Sequence, residues 1–369
     1  MFGGRLSLGE RGAQDDPLAR ELFGVEKFAD QSQVGEWLRG QTAESVAALR
    51  EVLRELVAWV WQQTASERLL HAGPREVFFD DTQLEVSGQH FEGAAIHYNN
   101  DLALSWQTLW IGPLLTDSQM GRPRDVSDQL LPMIGRNRSL WKGQAAHFYA
   151  DSGSSAGKYL NAIAAEGWHY TVSYNKWTGP LERTARERPT TAWKQTGEEH
   201  HAFLSHQPEG CAGPHRCAAV RRKTDWFESY GFIACDPQQS DAALTGERHH
   251  LKGAKEQLFD EVLNGMDLPR PPCSALMANQ IYYLIAALAC DLMVAIKLVD
   301  LKDQCQGWRM KTLMKKRVRL PGRLSRRSRQ WVARVLVPGA WLNWWQRWLE
   351  RAWPQEQGAG RPRLSAARG

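Results

Sequence analysis

Two short apolar segments of this chain run directly into aspartate, and this pattern constrains the fold more than any other feature. Residues 76–79 lead into Asp80 and Asp81 within Phe-Phe-Asp-Asp-Thr, and residues 147–150 lead into Asp151 within His-Phe-Tyr-Ala-Asp-Ser-Gly. Short apolar runs bounded by polar residues are typical of buried strands. An acid at the end of such a strand escapes full desolvation and can bind a divalent cation. The pattern therefore predicts a sheet with carboxylates at its strand ends.

A third acid, Glu256, lies in residues 247–263, where the apolar spacing predicts a helix. Asp80 or Asp81 alone would more simply be a turn or capping residue, and Asp151 alone could be only a helix cap. Together, two strand-end aspartates and one helical glutamate match the oxygen ligands that hold two Mg²⁺ ions in phosphoryl-transfer sites. Neighbouring strand residues point to opposite faces, so only one of Asp80 and Asp81 can share a cation with Asp151. We take Asp81 as that ligand and keep Asp80 as the alternative.

The order of predicted elements favours an α/β fold, in which a mixed sheet is flanked by helices. After a helical region over 17–70, the patterns predict strands at 76–79, 93–98 and 105–113, a helix at 127–140, a strand at 147–150, a helix at 157–166 and a strand at 168–174. We divide the chain into an amino-terminal helical region 1–70, core segments 71–174 and 246–300, an inserted subdomain 175–245, and a carboxyl-terminal tail 301–369.

The composition indicates the cellular compartment in which the protein works. Six cysteines without paired spacing indicate a reducing compartment, and the first twelve residues contain no apolar signal-peptide segment. We therefore expect a cytoplasmic protein. The longest apolar run, 281–296, is interrupted by Asp291 and is shorter than the roughly 20 residues that span a bilayer. It predicts a core helix and no membrane partner.

The predicted insertion, 175–245, contains a cluster that could be a zinc site or a polar loop. Its members are His200, His201, His206, Cys211, His215 and Cys217. The spacing is irregular and no Cys-x2-Cys pair occurs, which favours the polar loop. The chain has no phosphate-binding loop of the Gly-x4-Gly-Lys-Ser type and no Gly-x-Ser-x-Gly nucleophile elbow. These absences weigh against a nucleoside-triphosphatase and a serine hydrolase.

The positive charge is concentrated near the carboxyl end. Residues 309–334 hold eleven Lys or Arg and no acid, whereas the net charge of the whole chain is only +5. Such a segment is typical of a polyanion contact, and the alternative is a solvated helix pair. We expect a helical basic region whose phosphate contacts are Lys315, Lys316, Arg317, Arg319, Arg323, Arg326, Arg327 and Arg329.

Seventeen tryptophans raise the question of whether some stack on nucleobases. Trp341, Trp344, Trp345 and Trp348 recur at helical spacing, which favours one apolar packing face. Candidates for base stacking in the predicted insertion are Trp177, Trp193 and Trp226.

With these motifs in place, the chain resembles the bacterial DDE insertion-sequence transposases, in the group whose DDE domain carries a β-rich insertion before the glutamate. The resemblance rests on Phe-Asp-Asp-Thr at 79–82 with Gly-Gln-His-Phe-Glu-Gly at 88–93, on Tyr-Ala-Asp-Ser-Gly at 149–153, and on Lys-Gly-Ala-Lys-Glu at 252–256. Ala-Asn-Gln-Ile-Tyr-Tyr-Leu at 278–284 and the Arg-rich end follow in the same order. The match covers most of the chain.

The resemblance implies an RNase-H-like fold, two Mg²⁺ ions (or Mn²⁺), and cleavage and joining of DNA strands. Asp81, Asp151 and Glu256 would be the catalytic and metal-binding triad, and the partner would be double-stranded DNA, both terminal inverted repeats and target, bound by a homodimer. Related proteins often carry Tyr and Arg where this chain has His249 and Lys252, which we expect to contact DNA. Lys252 keeps the charge but loses bidentate phosphate contact. Family members usually carry more sequence before residue 22, so an amino-terminal truncation and a complete chain both remain open.

Three functions remain open at this point. The first is a cut-and-paste transposase, and the second is a DNA-binding remnant that has lost catalysis. The third is an RNase-H-like nuclease that cuts DNA without joining it.

Overall fold

The structure is a computed structural model that forms two compact units. One unit is Gln41–Val299, and the other combines Met1–Gly40 with Asp300–Gly369. The residues that the structure describes are 17, 19–20, 24–64, 73–88, 90–97, 99–123, 126–174, 179–223, 226–266, 268, 270–301, 305, 307–327, 330–352 and 363–368.

One mixed sheet of ten strands runs through the described part of the larger unit. Its strands are β1 (Arg75–Glu85), β2 (Ala95–Ile96), β3 (Leu102–Ile111), β4 (Leu114–Gly121), β5 (Ala146–Ala150), β6 (His169–Ser173), β7 (Lys194–Thr196), β8 (Glu199–His206), β9 (His215–Lys223) and β10 (Glu228–Cys235). Their order is β2-β3-β1-β5-β6-β10-β9-β8-β7. Strand β4 pairs with residues 105–111 of β3, beyond the part of β3 that pairs with β2.

Strand β1 is the centre of the first half of the sheet. It pairs antiparallel with β3, which pairs antiparallel with β4, and it pairs parallel with β5, which is parallel to β6. This arrangement confirms the predicted mixed α/β sheet and is consistent with an RNase-H-like fold. Two details differ from the sequence-based prediction. Strand β1 continues through the aspartates to Glu85, and β4 was not predicted.

The insertion does contain strands, and they extend the same sheet. Strand β10 pairs antiparallel with β6, and β9, β8 and β7 follow in antiparallel order. A local core of eight buried side chains, among them Leu181, Trp193 and Phe232, lies on this half of the sheet. The inserted segment is therefore built onto the edge of the central strands.

Helices cover the sheet and complete the core of this unit. They are α2 (Ala43–Gln63), α3 (Leu130–Asn137), α4 (Gly157–Ala165), α5 (Gly179–Glu187), α6 (Ala242–His250), α7 (Gly253–Gly265) and α8 (Leu276–Ala295), numbered after α1 (Gln31–Arg39) of the smaller unit. Helix α8 contacts α2 and β4. Its Tyr283 ring lies 5.1 Å from the ring of Trp106 on β3, and both side chains are fully buried.

The predicted helix over 247–263 is in fact two helices with a turn between them. Helix α6 begins at Ala242 because Asp241 caps it, accepting from the backbone N–H groups of Ala243 and Leu244. It ends in a turn in which Lys252 N–H donates to the His249 carbonyl at 2.9 Å, and Gly253 then opens α7. Glycine disfavours a helix interior by about 1 kcal/mol relative to alanine, which helps to place the break here.

Helix α8 is long and apolar enough to cross a membrane by composition, but it is the core helix of this unit. Thirteen of its residues are buried. Asp291 is completely buried on it, and one carboxyl oxygen accepts from the Leu115 backbone N–H at 2.9 Å. Leu115 lies beside a bulge in the β3–β4 ladder, where the strand hydrogen-bond pattern is locally disrupted. Asp291, the polar residue inside the apolar run, therefore hydrogen-bonds the backbone next to the bulge.

We expect Asp291→Asn to remove a pH dependence from stability. Burial raises the pKa of Asp291 well above its ordinary 3.8, so the folded chain keeps a proton that the unfolded chain loses. Stability should then fall as pH rises above about 4, at up to about 1.4 kcal/mol per pH unit. Urea unfolding of both proteins at pH 5, 6 and 7 should show wild type losing stability relative to the variant. Parallel curves would contradict this assignment.

The basic carboxyl-terminal region is mixed rather than helical, which corrects the prediction made above. It contains β11 (Gly322–Arg327), β12 (Gln330–Val337) and β13 (Arg363–Arg368) in one sheet, with α9 (Met310–Leu313) before them and α10 (Leu342–Ala352) before β13. Apolar residues stand at alternate positions of β12, namely Trp331, Ala333, Val335 and Val337, and this spacing of two is typical of a strand. Sequence reasoning gave weight to the charges and missed this alternation.

Candidate active site

The strand register places Asp80 and Asp151 side by side. Strands β1 and β5 are parallel, with Phe78 opposite Tyr149 and Phe79 opposite Ala150. The rings of Phe78 and Tyr149 stack at 4.6 Å, which shows that paired residues share a face. Asp151 continues β5 in an extended conformation, one residue beyond the last pair. It therefore stands next to Asp80, on the face that Phe78 and Tyr149 share.

Asp81 faces the other side of the sheet. Its carboxylate accepts from the Ser105 hydroxyl at 3.0 Å and from the Gln83 side-chain amide at 2.5 Å. Ser105 lies on β3 directly opposite Gln83, and Gln83 is two residues from Asp81, so the three side chains share one face. The structure therefore brings Asp80, and not Asp81, to Asp151.

Helix α7 lies on the same face as Asp80. Its Phe259 ring packs edge-on against Trp106 at 5.9 Å and against Trp110 at 6.0 Å. Both tryptophans belong to β3, where Trp110 is opposite Phe78 and Trp106 is opposite Thr82. Phe78, Asp80 and Thr82 are alternate residues of β1 and therefore share one face. The helix that carries Glu256 covers this face.

Lys252 joins the two aspartates. Its Nζ atom lies 3.1 Å from Asp80 Oδ2 and 2.5 Å from Asp151 Oδ1. The Lys252 side chain is 8 % exposed and that of Asp80 is 16 % exposed, whereas Asp151 is 61 % exposed. Lys252 reaches this position because the turn between α6 and α7 sets its backbone immediately before the first turn of α7. The site is thus closed toward the core and open on the Asp151 side.

The electrostatics of the cluster follow from burial. Desolvation raises the pKa of Asp80 to about 6, with Lys252 opposing the shift and Asp151 adding to it. Burial also raises the pKa of Asp81, against its hydrogen bond from Ser105. For Lys252, burial alone would lower the pKa, but the two carboxylates outweigh it and the net pKa is raised. Lys252 therefore stays protonated and places a positive charge between the two aspartates.

Besides Lys252, the structure locates two predicted residues here, Glu256 by its backbone position and His249 by a side-chain contact. Glu256 is the fourth residue of α7 and follows Lys252 by four positions, about one helical turn, and its side chain lies outside the described residues. His249 hydrogen-bonds the Ser173 hydroxyl on β6 through Nε2 at 2.8 Å. Burial lowers the pKa of His249 to about 4, so its ring is neutral at pH 7.

The chemistry of this donor set fits a hard divalent cation. Two carboxylates from adjacent strands converge on a single point, and a cation, the Lys252 ammonium, already stands there. Mg²⁺ and Mn²⁺ prefer carboxylate oxygens, and Mg²⁺ is commonly held by one or two of them with water. Among the side chains that the structure describes, no group of three or more His, Cys, Asp or Glu could hold a metal.

The loop after Asp151 is held by the insertion. Asn161 on α4 donates to the Gly210 carbonyl at 2.8 Å and accepts from Ala212 N–H at 3.0 Å, which docks the β8–β9 loop on the helix. A Cβ at Gly157 would lie 2.4 Å from the Glu209 carbonyl oxygen, so only glycine allows this approach. The contact borders a cleft of about 510 Å³ that begins at Ser152, next to Asp151.

The His and Cys cluster of the insertion lies on two paired strands and their loop. His200, His201 and His206 are on β8, His215 and Cys217 on β9, and Cys211 in the loop between them. His206 Nε2 lies 3.1 Å from the Tyr174 hydroxyl, and His215 contacts the Tyr170 hydroxyl. The two histidines at the loop end thus have tyrosine partners.

The three candidate stacking tryptophans of the insertion have different environments. Trp193 is buried under the Arg221 guanidinium, which lies 4.7 Å from its ring. Trp226 is 93 % exposed in the loop between β9 and β10. Trp177 lies outside the described residues. Trp226 is therefore the one of the two described tryptophans whose ring is open to a partner.

The predicted DNA-contacting residues of the tail also differ in availability. Arg317 is 4 % exposed, and its guanidinium lies over Trp341 at 4.1 Å, Trp344 at 4.6 Å and Trp308 at 5.5 Å. Because its guanidinium is buried against these rings, Arg317 is not available for the expected phosphate contact. The exposed members of the set are Lys315, Lys316, Arg319 and Arg323, whereas the side chains of Arg326 and Arg327 and the whole of Arg329 lie outside the described residues.

Comparison with known proteins identifies the family. A family model described as transposase DDE domain group 1 matches residues 15–337, which is most of the chain. No curated protein matches the chain. The family match spans both acidic strands and the glutamate helix, so the chain belongs to the DDE transposases of group 1.

Proposed function

We propose that this transposase cleaves DNA and joins the freed ends to a target in a reaction that depends on Mg²⁺, with Asp80, Asp151 and Glu256 as its carboxylates. The observation that carries the proposal is the convergence of Asp80 and Asp151 on one cation position at the start of α7. Asp80 replaces Asp81 in this triad because Asp81 is engaged by Ser105 on the opposite face. Glu256 is included because it follows Lys252 by one turn of the same helix.

In this proposal each residue has a defined task. Asp80 and Asp151 would hold one metal ion between adjacent strands, and Glu256 would help to hold a second. Bound there, the ions would activate water or a 3′-hydroxyl for attack and neutralise charge on the leaving oxygen. The chain itself supplies positioning, because β1, β5 and α7 are anchored in a core that includes Trp106 and Phe259. Catalysis would then rest mostly on placement and charge.

DNA binding would use charges that remain exposed. Lys315, Lys316, Arg319 and Arg323 are exposed in the basic region, and Trp226 offers an open aromatic face. Phosphate contacts of this kind make affinity fall steeply with salt. We further propose that two copies assemble on DNA, since joining two ends of one element requires both ends to be held.

The test is a cleavage and joining assay with the full chain on a duplex that carries the inverted repeats flanking the reading frame. We expect strand cleavage at the repeat end and joined products with target DNA in Mg²⁺ or Mn²⁺, and neither product in EDTA. A scrambled-repeat duplex is the matched control. Salt-dependent binding without any cleavage would instead identify a remnant. Cleavage without joined products would identify a nuclease.

A further inference from the structure

Lys252 occupies the position that a shared metal ion would need. Mg²⁺ binds carboxylate oxygens at about 2.0–2.1 Å, and the Lys252 Nζ atom lies 2.5 and 3.1 Å from one oxygen of each aspartate. An ammonium and a divalent ion held by the same two oxygens would be within a few ångströms of each other. At that distance like charges repel strongly in a partly buried site. The lysine and the metal therefore exclude each other.

Without a metal, the lysine has a structural reason to stay. Asp80 is largely buried and stands next to Asp151, so the pair would be an unbalanced negative cluster. The Lys252 ammonium neutralises it. The Lys252 side chain can also move away from this position toward solvent, because Asp151 is 61 % exposed and the lysine side chain is flexible. Its exit leads to the solvent side of the site, where a substrate phosphodiester must lie for the carboxylates to act on it.

We infer that Lys252 is a positioning residue that couples the two ligands, releasing the Asp80–Asp151 pair to a divalent metal when a DNA phosphate binds its ammonium. This inference rests on the function proposed above. A phosphate that binds the Lys252 ammonium lowers the free-energy cost of moving this ammonium away from the metal position. Coupling of this kind is reciprocal, so bound metal also strengthens the phosphate contact. Typical coupling factors lie at about 5- to 150-fold.

Binding of Mn²⁺ to the full chain, followed by calorimetry or electron paramagnetic resonance, tests the inference without any activity readout. For wild type we expect weak Mn²⁺ binding alone and binding about tenfold tighter with saturating duplex, by the coupling range above. Lys252→Met should bind Mn²⁺ about tenfold tighter than wild type without DNA, and DNA should add little. Lys252→Arg should restore the dependence on DNA. Lys158→Met is the control, because Lys158 is exposed and pairs with Asp128.

The outcomes separate this inference from the proposed function. If Asp80→Asn and Asp151→Asn bind Mn²⁺ as wild type does, the metal site itself is wrong. If both lose Mn²⁺ but Lys252→Met binds no tighter than wild type, only the coupling is overturned. Wild-type Mn²⁺ affinity that is unchanged by DNA also overturns it, and this measurement needs no variant. A rise in melting temperature with Mn²⁺ that is larger in Lys252→Met than in wild type would support the exchange.

Discussion

Asp80→Asn is expected to abolish DNA cleavage, whereas the same change at the neighbouring Asp81 should leave most activity. Asp80 shares a cation position with Asp151, and an amide is a much weaker ligand for a hard cation than a carboxylate. Loss of several kcal/mol of charge stabilisation corresponds to about a 10³-fold or greater loss in rate. Cleavage of an inverted-repeat duplex in single-turnover assays measures this.

Asp81→Asn is the matched control, because it alters the adjacent residue in the same way. Its side chain bonds Ser105 and Gln83 on the opposite face, and an asparagine oxygen can still accept from Ser105. Weakening one hydrogen bond costs about 1 kcal/mol, so we expect a change in rate of less than about tenfold. Asp151→Asn should match Asp80→Asn, and all three variants should bind DNA. The reverse order of effects at 80 and 81 would restore Asp81 as the ligand.

Asp117→Ala is expected to cause the largest loss of stability of the changes considered. The buried Asp117 carboxylate on β4 accepts from Arg50 Nε of α2 at 3.1 Å, from Arg136 Nε of α3 at 2.9 Å and from Asn137 Nδ2 at 2.9 Å. It therefore ties two helices to one strand. Removing one member of a buried pair costs about 3–5 kcal/mol, and partial exposure of the arginines argues for the lower end. Urea unfolding monitored by tryptophan fluorescence measures the loss.

The control for Asp117 is Asp128→Ala. Asp128 pairs with Lys158 at 3.2 Å, and both side chains are more than half exposed, so solvent screens the pair. We expect the urea midpoint of this variant to stay close to that of wild type. Equal losses in the two variants would show that the Asp117 network adds nothing beyond a surface ion pair.

Much of the fold followed from local patterns in the sequence. Residues 147–150 and 168–174 read as strands, and the structure has β5 and β6 there. The run ending near residue 296 read as a core helix despite Asp291, and α8 is that helix. These elements were predictable because buried segments are continuously apolar, and the length of the apolar run separates a strand from a helix. Strand β4 was missed because three polar residues, Thr116, Asp117 and Ser118, interrupt its apolar pattern, although all three are buried in the structure.

The sequence by itself determined that acids follow two apolar runs, that a third lies on a helix, and that these motifs belong to a DDE transposase domain. The tertiary structure decided which of two adjacent aspartates stands beside Asp151, and it alone revealed Lys252 between them. The physical reason is that side chains alternate along a strand, so a choice between neighbours depends on register with a partner. For Asp80, that partner strand, β5, is about 70 residues away in sequence, and Lys252 is about 170.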